Sequence, residues 1–402
     1  MHAPIHNRLI SCPECDLSQW LPTPTSRTRA LRCRRCNMVL IHFHPQGVER
    51  VLAMTLASLI LLGMAVVLPF MTLELNGQTR EITLGTGVIT LFHEEAWGLA
   101  ALVLLTSMVA PLLYHAGLLY VLGPLWLGRI PRGAAHIWRW VLALGPWSMT
   151  EVYMLGVLVA FVKLAQMATI LPGLALYCLA ASMLAMMVTR IFLDPDLLWS
   201  RLPQDQGNHF PERCPQCGLG QESCQKHCRR CGASLGRRKP ESLSRTWALV
   251  MTAGILYIPA NLLPIMTVVR LGHEQSDTIL SGVAHLVESG MWPLALVVFV
   301  ASILVPILKL LVLAGLLLSI QHGWGRRRHE RNHLYRLIEV IGRWSMIDIF
   351  MISILVAIVD LGEVATIHPG QGALYFAAVV VITLFAARTF DPRLIWQEER
   401  EK

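Results

Sequence analysis

The sequence predicts an all-α polytopic membrane protein built from two tandem four-helix units, and three observations carry that prediction. Only 15% of the 402 residues are charged and 54% are hydrophobic, against roughly 25% charged in an average soluble domain. Apolar stretches near the 20-residue length that crosses about 30 Å of hydrocarbon recur along the whole chain. The first half of the sequence returns in the second. A mean hydropathy of +0.52 agrees. This composition excludes a disordered chain, a collagen-like fibre, a coiled coil and a small disulfide scaffold. Nucleic acid is not an expected partner despite the net charge of +8, because the basic residues are confined to particular loops.

Eight spans are expected in order: Val51 to Leu73, Trp97 to Leu122, Trp147 to Leu164, Leu171 to Leu193, Thr246 to Val269, Met291 to Ser319, Ser345 to Leu361 and Gly372 to Thr389. The third and seventh are short and contain acids. Arginine favours the cytoplasmic side of short loops. Arg27, Arg29, Arg32, Arg34, Arg35 and Arg50 precede the first span, and Arg129, Arg132 and Arg139 follow the second. Arg229, Arg230, Arg237, Arg238 and Lys239 lie in the middle segment, and Arg326, Arg327, Arg328, Arg331 and Arg336 follow the sixth span. The alternate loops are acidic or neutral. All basic segments therefore fall on one side, and both termini are expected in the cytoplasm. The first 50 residues lack an apolar core and hold paired cysteines, so no cleavable signal is expected.

The duplication is direct. Leu68-Pro69-Phe70-Met71-Thr72 recurs as Leu263-Pro264-Ile265-Met266-Thr267, a shift of 264 − 69 = 195. Ser107 and Pro111 match Ser302 and Pro306 at that shift. Trp147-Ser148-Met149-Thr150-Glu151 recurs as Trp344-Ser345-Met346-Ile347-Asp348, shifted by 344 − 147 = 197. The change of shift falls in a loop, where insertions are tolerated. Four spans per half is an even number, so the halves share one orientation, unlike the inverted repeats of many transporters. The expected divisions are 1–48, 49–200, 201–242 and 243–402.

Cys12-Pro-Glu-Cys15 with Cys33-Arg-Arg-Cys36, and Cys214-Pro-Gln-Cys217 with Cys228-Arg-Arg-Cys231, make two pairs of Cys-x-x-Cys knuckles. Four thiolates brought into a tetrahedron suit a closed structural Zn²⁺ site. The 17 and 10 residues between knuckles both fit a zinc ribbon. A cytoplasmic address argues against disulfides. Cys224 and His227 lie close enough in sequence to compete as ligands, with Cys224 expected to be spare. Cys178, inside the fourth span, is expected to pack as a small apolar residue.

The ribbons, the Leu-Pro-x-Met-Thr segments, Ser302-Ile-Leu-Val-Pro306-Ile-Leu-Lys309, Gly342-Arg343-Trp344-Ser345-Met346-Ile347-Asp348 and Phe390-Asp391-Pro392-Arg393 together resemble the paraquat-inducible protein A family over nearly the whole chain. The resemblance implies an inner-membrane protein of Gram-negative bacteria with two tandem, tetraspanin-like four-helix units, each with its own zinc domain. It also implies a partner bearing mammalian-cell-entry (MCE) domains that forms a tunnel across the periplasm. The expected function is then an inner-membrane component of intermembrane lipid transport, with phospholipid as cargo.

Ionisable groups at span depth are costly and mark candidate functional sites. Lys309 lies mid-span three residues after Pro306, with Ser302 seven residues earlier on about the same face. Ser345 and Asp348 share a face of the seventh span, Thr383 is deep in the eighth, and Asn261 lies between Pro259 and Pro264 in the fifth. A Lys309–Asp348 pair would lessen the desolvation of both charges. The duplication supplies a control. The first-half counterparts are Val66 for Asn261, Ser107 for Ser302, Tyr114 for Lys309, Ser148 for Ser345, Glu151 for Asp348 and Met186 for Thr383. The C-terminal half is therefore expected to hold the working site and the N-terminal half to act mainly as a scaffold. The structural alternative is an ion pair and hydroxyls that glue membrane helices. Lys163 and Arg190, near span ends, are expected to snorkel to the interface.

The chain carries no Walker motif, nucleophile elbow or His-Glu-x-x-His, so an enzyme is not expected. Two alternatives stand beside lipid transport. One is a proton-coupled exporter of small amphiphiles working alone. The other is a membrane scaffold or stress sensor acting through its cysteines.

Overall fold

Two short antiparallel hairpins precede the first membrane helix, because each Cys-x-x-Cys knuckle folds the chain back on itself. In this computed structural model β1 (Leu9–Ser11) pairs with β2 (Ser18–Trp20), and β3 (Ala30–Arg32) with β4 (Val39–His42). The structure describes residues 9–20, 30–42, 48–75, 78–164, 169–202, 212–214, 216–221, 226–235, 239, 241–270, 273–323, 327–359 and 365–396.

Helix α1 (Val48–Val67) buries Thr55, Ser58, Leu62 and Ala65 and exposes Leu56, Ile60, Met64 and Val67. Both sets recur every three or four residues, so one face is small and polar enough to pack on a helix and the other is fit for lipid. Pro69 cannot continue the helix. The chain turns instead into β5 (Met71–Leu75), which pairs on one edge with β6 (Gln78–Ile82) and on the other with β7 (Thr169–Pro172). Helix α2 (Leu84–His93) starts at a Thr83–Thr86 capping box. Helices α3 (Trp97–Leu104) and α4 (Ala110–Trp126) run on through a π-helical turn, Leu105–Val109. There the amide of Ala110 reaches back five residues to Leu105, just before Pro111 removes the next donor. Helix α5 (Ala134–Leu144), a tight turn at Gly145–Trp147, α6 (Thr150–Leu164), α7 (Leu174–Phe192) and α8 (Pro195–Arg201) complete the first half.

The second half follows the same order. After β8 (Glu212–Arg213) and β9 (Gly220–Gln221) come α9 (Ser242–Leu262), β10 (Met266–Arg270), β11 (His273–Asp277) and α10 (Ile279–Glu288). Helices α11 (Trp292–Phe299) and α12 (Val305–Gln321) are again joined by a π-helical turn, at Val300–Leu304. Amphipathic α13 (Arg328–Ile341), a tight turn at Gly342–Met346, α14 (Ile347–Val359), β12 (Ala365–Pro369) and α15 (Gln371–Thr389) close the chain. The two three-stranded sheets have matching orders, β6-β5-β7 and β11-β10-β12.

Among the described residues six helical stretches are long and apolar enough to cross a membrane: Val48–Val67, Trp97–Trp126, Ala134–Val162, Leu174–Phe192, Trp292–Gln321 and Gln371–Thr389. Helices α9 and α14 stand at the other two predicted positions. The all-α expectation needs correction. The ends of the first and fifth predicted spans, Met71–Leu73 and Met266–Val269, are strands rather than helix. The protein is mostly helical, with, among the described residues, three two-stranded antiparallel sheets in the cysteine segments and two three-stranded ones.

Close backbone approach fixes those sheets against the helices. Gly173 donates its amide to Phe70, and a Cβ there would sit 2.2 Å from the Pro69 carbonyl oxygen. Its counterpart Gly370 donates to Ile265, and a Cβ would lie 2.2 Å from the Pro264 carbonyl oxygen. Between the halves α6 crosses α14 at Gly156, where an added Cβ would stand 2.9 Å from that of Phe350. Beside it the rings of Tyr153 and Phe350 meet edge to face at 5.2 Å. These two residues are related by the sequence shift of 350 − 153 = 197. Equivalent residues touching across an interface is what a two-fold relation requires.

Candidate functional site

The four knuckles fold as four copies of one turn. The first cysteine's amide bonds a carbonyl five residues on, as Cys12 does to Leu17, Cys33 to Met38, Cys214 to Leu219 and Cys228 to Ala233. The residue after the second cysteine adopts the left-handed region: Asp16, Asn37, Gly218 and Gly232, with φ of 58°, 58°, 68° and 68°. Asn, Asp and Gly reach that region most readily. The turns bring the sulfurs inward. Cys12 and Cys36 lie 3.5 Å apart, Cys15 and Cys33 3.5 Å, Cys214 and Cys231 3.6 Å, and Cys217 and Cys228 3.5 Å. A disulfide needs about 2.05 Å, whereas tetrahedral thiolates about 2.3 Å from one metal ion sit roughly 3.8 Å from each other. All eight cysteines are buried, and either set could hold a metal ion. Thiol donation from Cys15 pulls Cys12 down to about 5, and Cys15 itself is pushed up. Thiol donation from Cys214 pulls Cys231 down to about 7. Each cluster thus favours thiolate, the form that ligates, at part of its set only, since Cys36, Cys214 and Cys217 are pushed up. Cys224 lies outside the described residues, and His227 is not one of the residues forming either cluster.

The first cluster docks on the second half, and the second cluster, which lies between the halves in sequence, docks on the end of the first. The Glu14 carboxylate is gripped by Arg336 of α13, whose Nε donates at 3.0 Å, and by Asn332 at 3.0 Å. Arg336 also donates to the Cys36 carbonyl at 3.1 Å. Arg35, inside the second knuckle, donates to the Trp396 carbonyl at 3.0 Å and lies 4.9 Å over its ring. In the other cluster Arg230 donates to the Leu202 carbonyl at 2.9 Å and lies 5.3 Å over Trp199. Trp199 and Trp396 are themselves counterparts (396 − 199 = 197), so the two docking arrangements match.

Among the sequence candidates, Lys309 and Thr383 are brought together. Lys309 is 1% exposed, and its Nζ donates to Thr383 Oγ1 at 2.9 Å. Thr383 in turn donates to the Val380 carbonyl at 2.9 Å. Gly342 gives the amine room, since a Cβ there would lie 2.9 Å from Nζ. Ser345 is buried nearby, on the turn packed between α12 and α15, and its hydroxyl finds no partner among the described residues. Ser302 and Asn261 do not join the cluster. Each bonds a carbonyl four residues back on its own helix, Val298 at 2.6 Å and Tyr257 at 2.8 Å. The side chains of Asp348 and Lys163 lie outside the described residues, and with them the Lys309–Asp348 pair.

Lys309 stands at the wall of a cleft of about 320 Å³ between the halves. Pro146, Trp147 and Met149 of the first half line one side; Arg336, Glu339, Leu384, Ala387 and Arg388 of the second line the other. The Arg388 guanidinium lies 5.0 Å over the Trp147 ring.

The first half is wired differently. Arg190 does not snorkel outward. Its guanidinium donates to Glu151 at 3.1 Å and to the carbonyls of Gly145 and Ser148 at 3.1 and 3.3 Å, and lies 5.7 Å from the Tyr114 ring centroid. Sequence reasoning also missed a buried cluster there. Ser58 Oγ lies 2.8 Å from His115 Nε2 and 3.1 Å from Ser182 Oγ, and His115 Nδ1 lies 2.6 Å from the Pro111 carbonyl oxygen. The available signal was an ionisable side chain, His115, inside an otherwise apolar run.

The sequence model described as Paraquat-inducible protein A matches residues 48–203 and again 243–399. The chain is 35% identical to the intermembrane transport protein PqiA of Escherichia coli strain K12, over 100% of this chain and 97% of that protein. It is 32% identical to the lipophilic envelope-spanning tunnel protein A of the same strain, over 96% of this chain and 90% of that protein. It is 29% identical to a probable intermembrane transport protein of Haemophilus influenzae, over 98% and 97% of the two chains. No solved structure matches the chain.

Proposed function

The chain belongs to the paraquat-inducible protein A family, and from that premise we propose that it is the inner-membrane component of an intermembrane phospholipid transport system. The observation that carries this reading is the Lys309–Thr383 pair buried beside a cleft between the halves. Burying an ammonium in a lipid-facing bundle is costly, and a purely structural role is served as well by an apolar residue. The polar set Asn261, Ser302, Lys309, Ser345, Asp348 and Thr383 belongs to the C-terminal unit, with Glu151 its N-terminal remnant. Eight spans in two parallel four-span units, 49–200 and 243–402, supply the frame, and the double family match supports that division. The cysteine segments, 1–48 and 201–242, each hold a structural Zn²⁺. The arginine-rich ribbon side faces the cytoplasm, which leaves the sheet side toward the periplasm. An MCE-domain tunnel protein docks on that sheet side and takes lipid onward. A relative named for a lipophilic envelope-spanning tunnel supports a lipophilic cargo.

Lipid hand-off from vesicles containing the chain to a purified MCE-domain partner tests the proposal. Lys309→Met, Thr383→Val and Asp348→Asn are expected to abolish hand-off while the protein still folds. Hand-off at the wild-type rate in all three would end it.

A further inference from the structure

The cleft beside Lys309 has a counterpart in the first half, and the two differ at the residues that decide what occupies them. In the first half Arg190 runs inward from α7, and its guanidinium bonds Glu151 and the carbonyls of Gly145 and Ser148. At the matching position of α15 stands Ala387 (387 − 190 = 197), so the volume that an arginine side chain fills in one half is open in the other. Where Tyr114 lies beside that arginine, the second half carries Lys309 (309 − 114 = 195). One substitution removes the plug and the other points a buried amine at the space. The cleft measures about 320 Å³, and its charged lining is Lys309, Arg336 and Arg388 against the single acid Glu339. Arg336 is itself held by Glu14 of the first ribbon. Among the described residues no carboxylate lies within ion-pair distance of Lys309. The surrounding surface is apolar and exposed: Leu337, Val340, Trp344 and Phe385.

We propose that this cleft is a binding site for an anionic phosphate headgroup, entered from the ribbon-side leaflet, with Lys309 as its innermost donor. An ammonium and an arginine suit a phosphodiester, and the apolar rim suits acyl chains more than a free ion. The proposal deepens the transport reading and rests on it for the ligand class.

The test refills the space. Full-length protein is reconstituted in phosphatidylcholine nanodiscs doped with phosphatidylglycerol, and the phosphatidylglycerol that stays with the protein is counted by native mass spectrometry. Ala387→Arg rebuilds the first-half plug and Lys309→Met removes the donor. Lys309→Met is expected to lower retained phosphatidylglycerol by about tenfold, the effect of losing a charge-assisted hydrogen bond, and Ala387→Arg to lower it by filling the space the headgroup would take, while circular dichroism and melting show a folded protein. Unchanged retention in both variants overturns the site, and so does loss in Lys309→Met alone, because the cleft would then not be where the lipid sits. Stabilisation of the wild type by inorganic phosphate without enrichment of phosphatidylglycerol overturns the lipid assignment. Transport readings separate from these. Loss of retention with hand-off intact supports the headgroup site and sinks the transport role, whereas intact retention with hand-off lost does the reverse.

Discussion

Thr383 accepts the one hydrogen bond that Lys309 makes among the described residues and donates its own hydroxyl to the Val380 carbonyl. Thr383→Val leaves a buried amine without that acceptor, and unmet buried polar groups cost about 1–3 kcal/mol. A matching fall in stability, read by thermal melting in detergent, is the expected outcome. Ser345 is the contrast. Its buried hydroxyl has no partner among the described residues, so Ser345→Ala is expected to change stability by less than about 0.5 kcal/mol or to raise it slightly. In the first half, His115→Leu removes the imidazole's contacts to Ser58, which keeps Ser182, and to the Pro111 carbonyl, and should destabilise by about 0.5–1.5 kcal/mol. Lys309, Ser345 and Thr383 were legible in the sequence because polar groups stand out in apolar runs. Where their bonds go was not legible. Ser302 and Asn261 turn back on their own helices, since a carbonyl one turn away is nearer than any neighbour. Arg190 was misread from its place near a span end. A carboxylate on the facing helix and two carbonyls beside Pro146 hold it inward instead.

The cysteine hairpins and the sheets are the elements that set the two ends of the molecule. The cysteine clusters were legible from knuckle spacing alone, but their docking was not, because Glu14 and Arg35 meet residues hundreds of positions away and Arg230 reaches back to the end of the first half. Metal analysis of the purified protein is expected to find two ions per chain. Cys12→Ser with Cys15→Ser should leave one and lower the melting temperature, because closed thiolate sites contribute folding free energy directly. Two ions in that variant would place the metal elsewhere. The sheets were read as helix ends and loops, although a hairpin signal was present. Leu75 pairs with Gln78 across Asn76-Gly77, the dipeptide most typical of a two-residue turn. The apolar run of the preceding span masked it. Gly173→Ala or Gly370→Ala forces a methyl to 2.2 Å from a carbonyl oxygen, which should cost about 1–3 kcal/mol through backbone displacement.

At the scale of the whole molecule, the two halves share one order of elements and differ at the positions that line the cleft. Equivalent rings still meet where α6 crosses α14, and both long helices keep their π-helical turn before proline. The cleft-forming positions have drifted apart, to Tyr114 and Arg190 in one half and to Lys309 and Ala387 in the other. The mostly helical architecture and the six long apolar helical stretches could be read from hydropathy, since it depends on composition along the chain. The asymmetry of the clefts depends on side chains from both halves packed together, which only the fold supplies. The most direct measurement of the central claim is the rate of fluorescent phospholipid transfer from proteoliposomes to an MCE-domain acceptor, comparing Lys309→Met with Tyr114→Leu at the matching position. The expected result is transfer abolished by the first substitution and nearly unchanged by the second. Equal rates for the two, whether both normal or both lost, would contradict a working site confined to the C-terminal half.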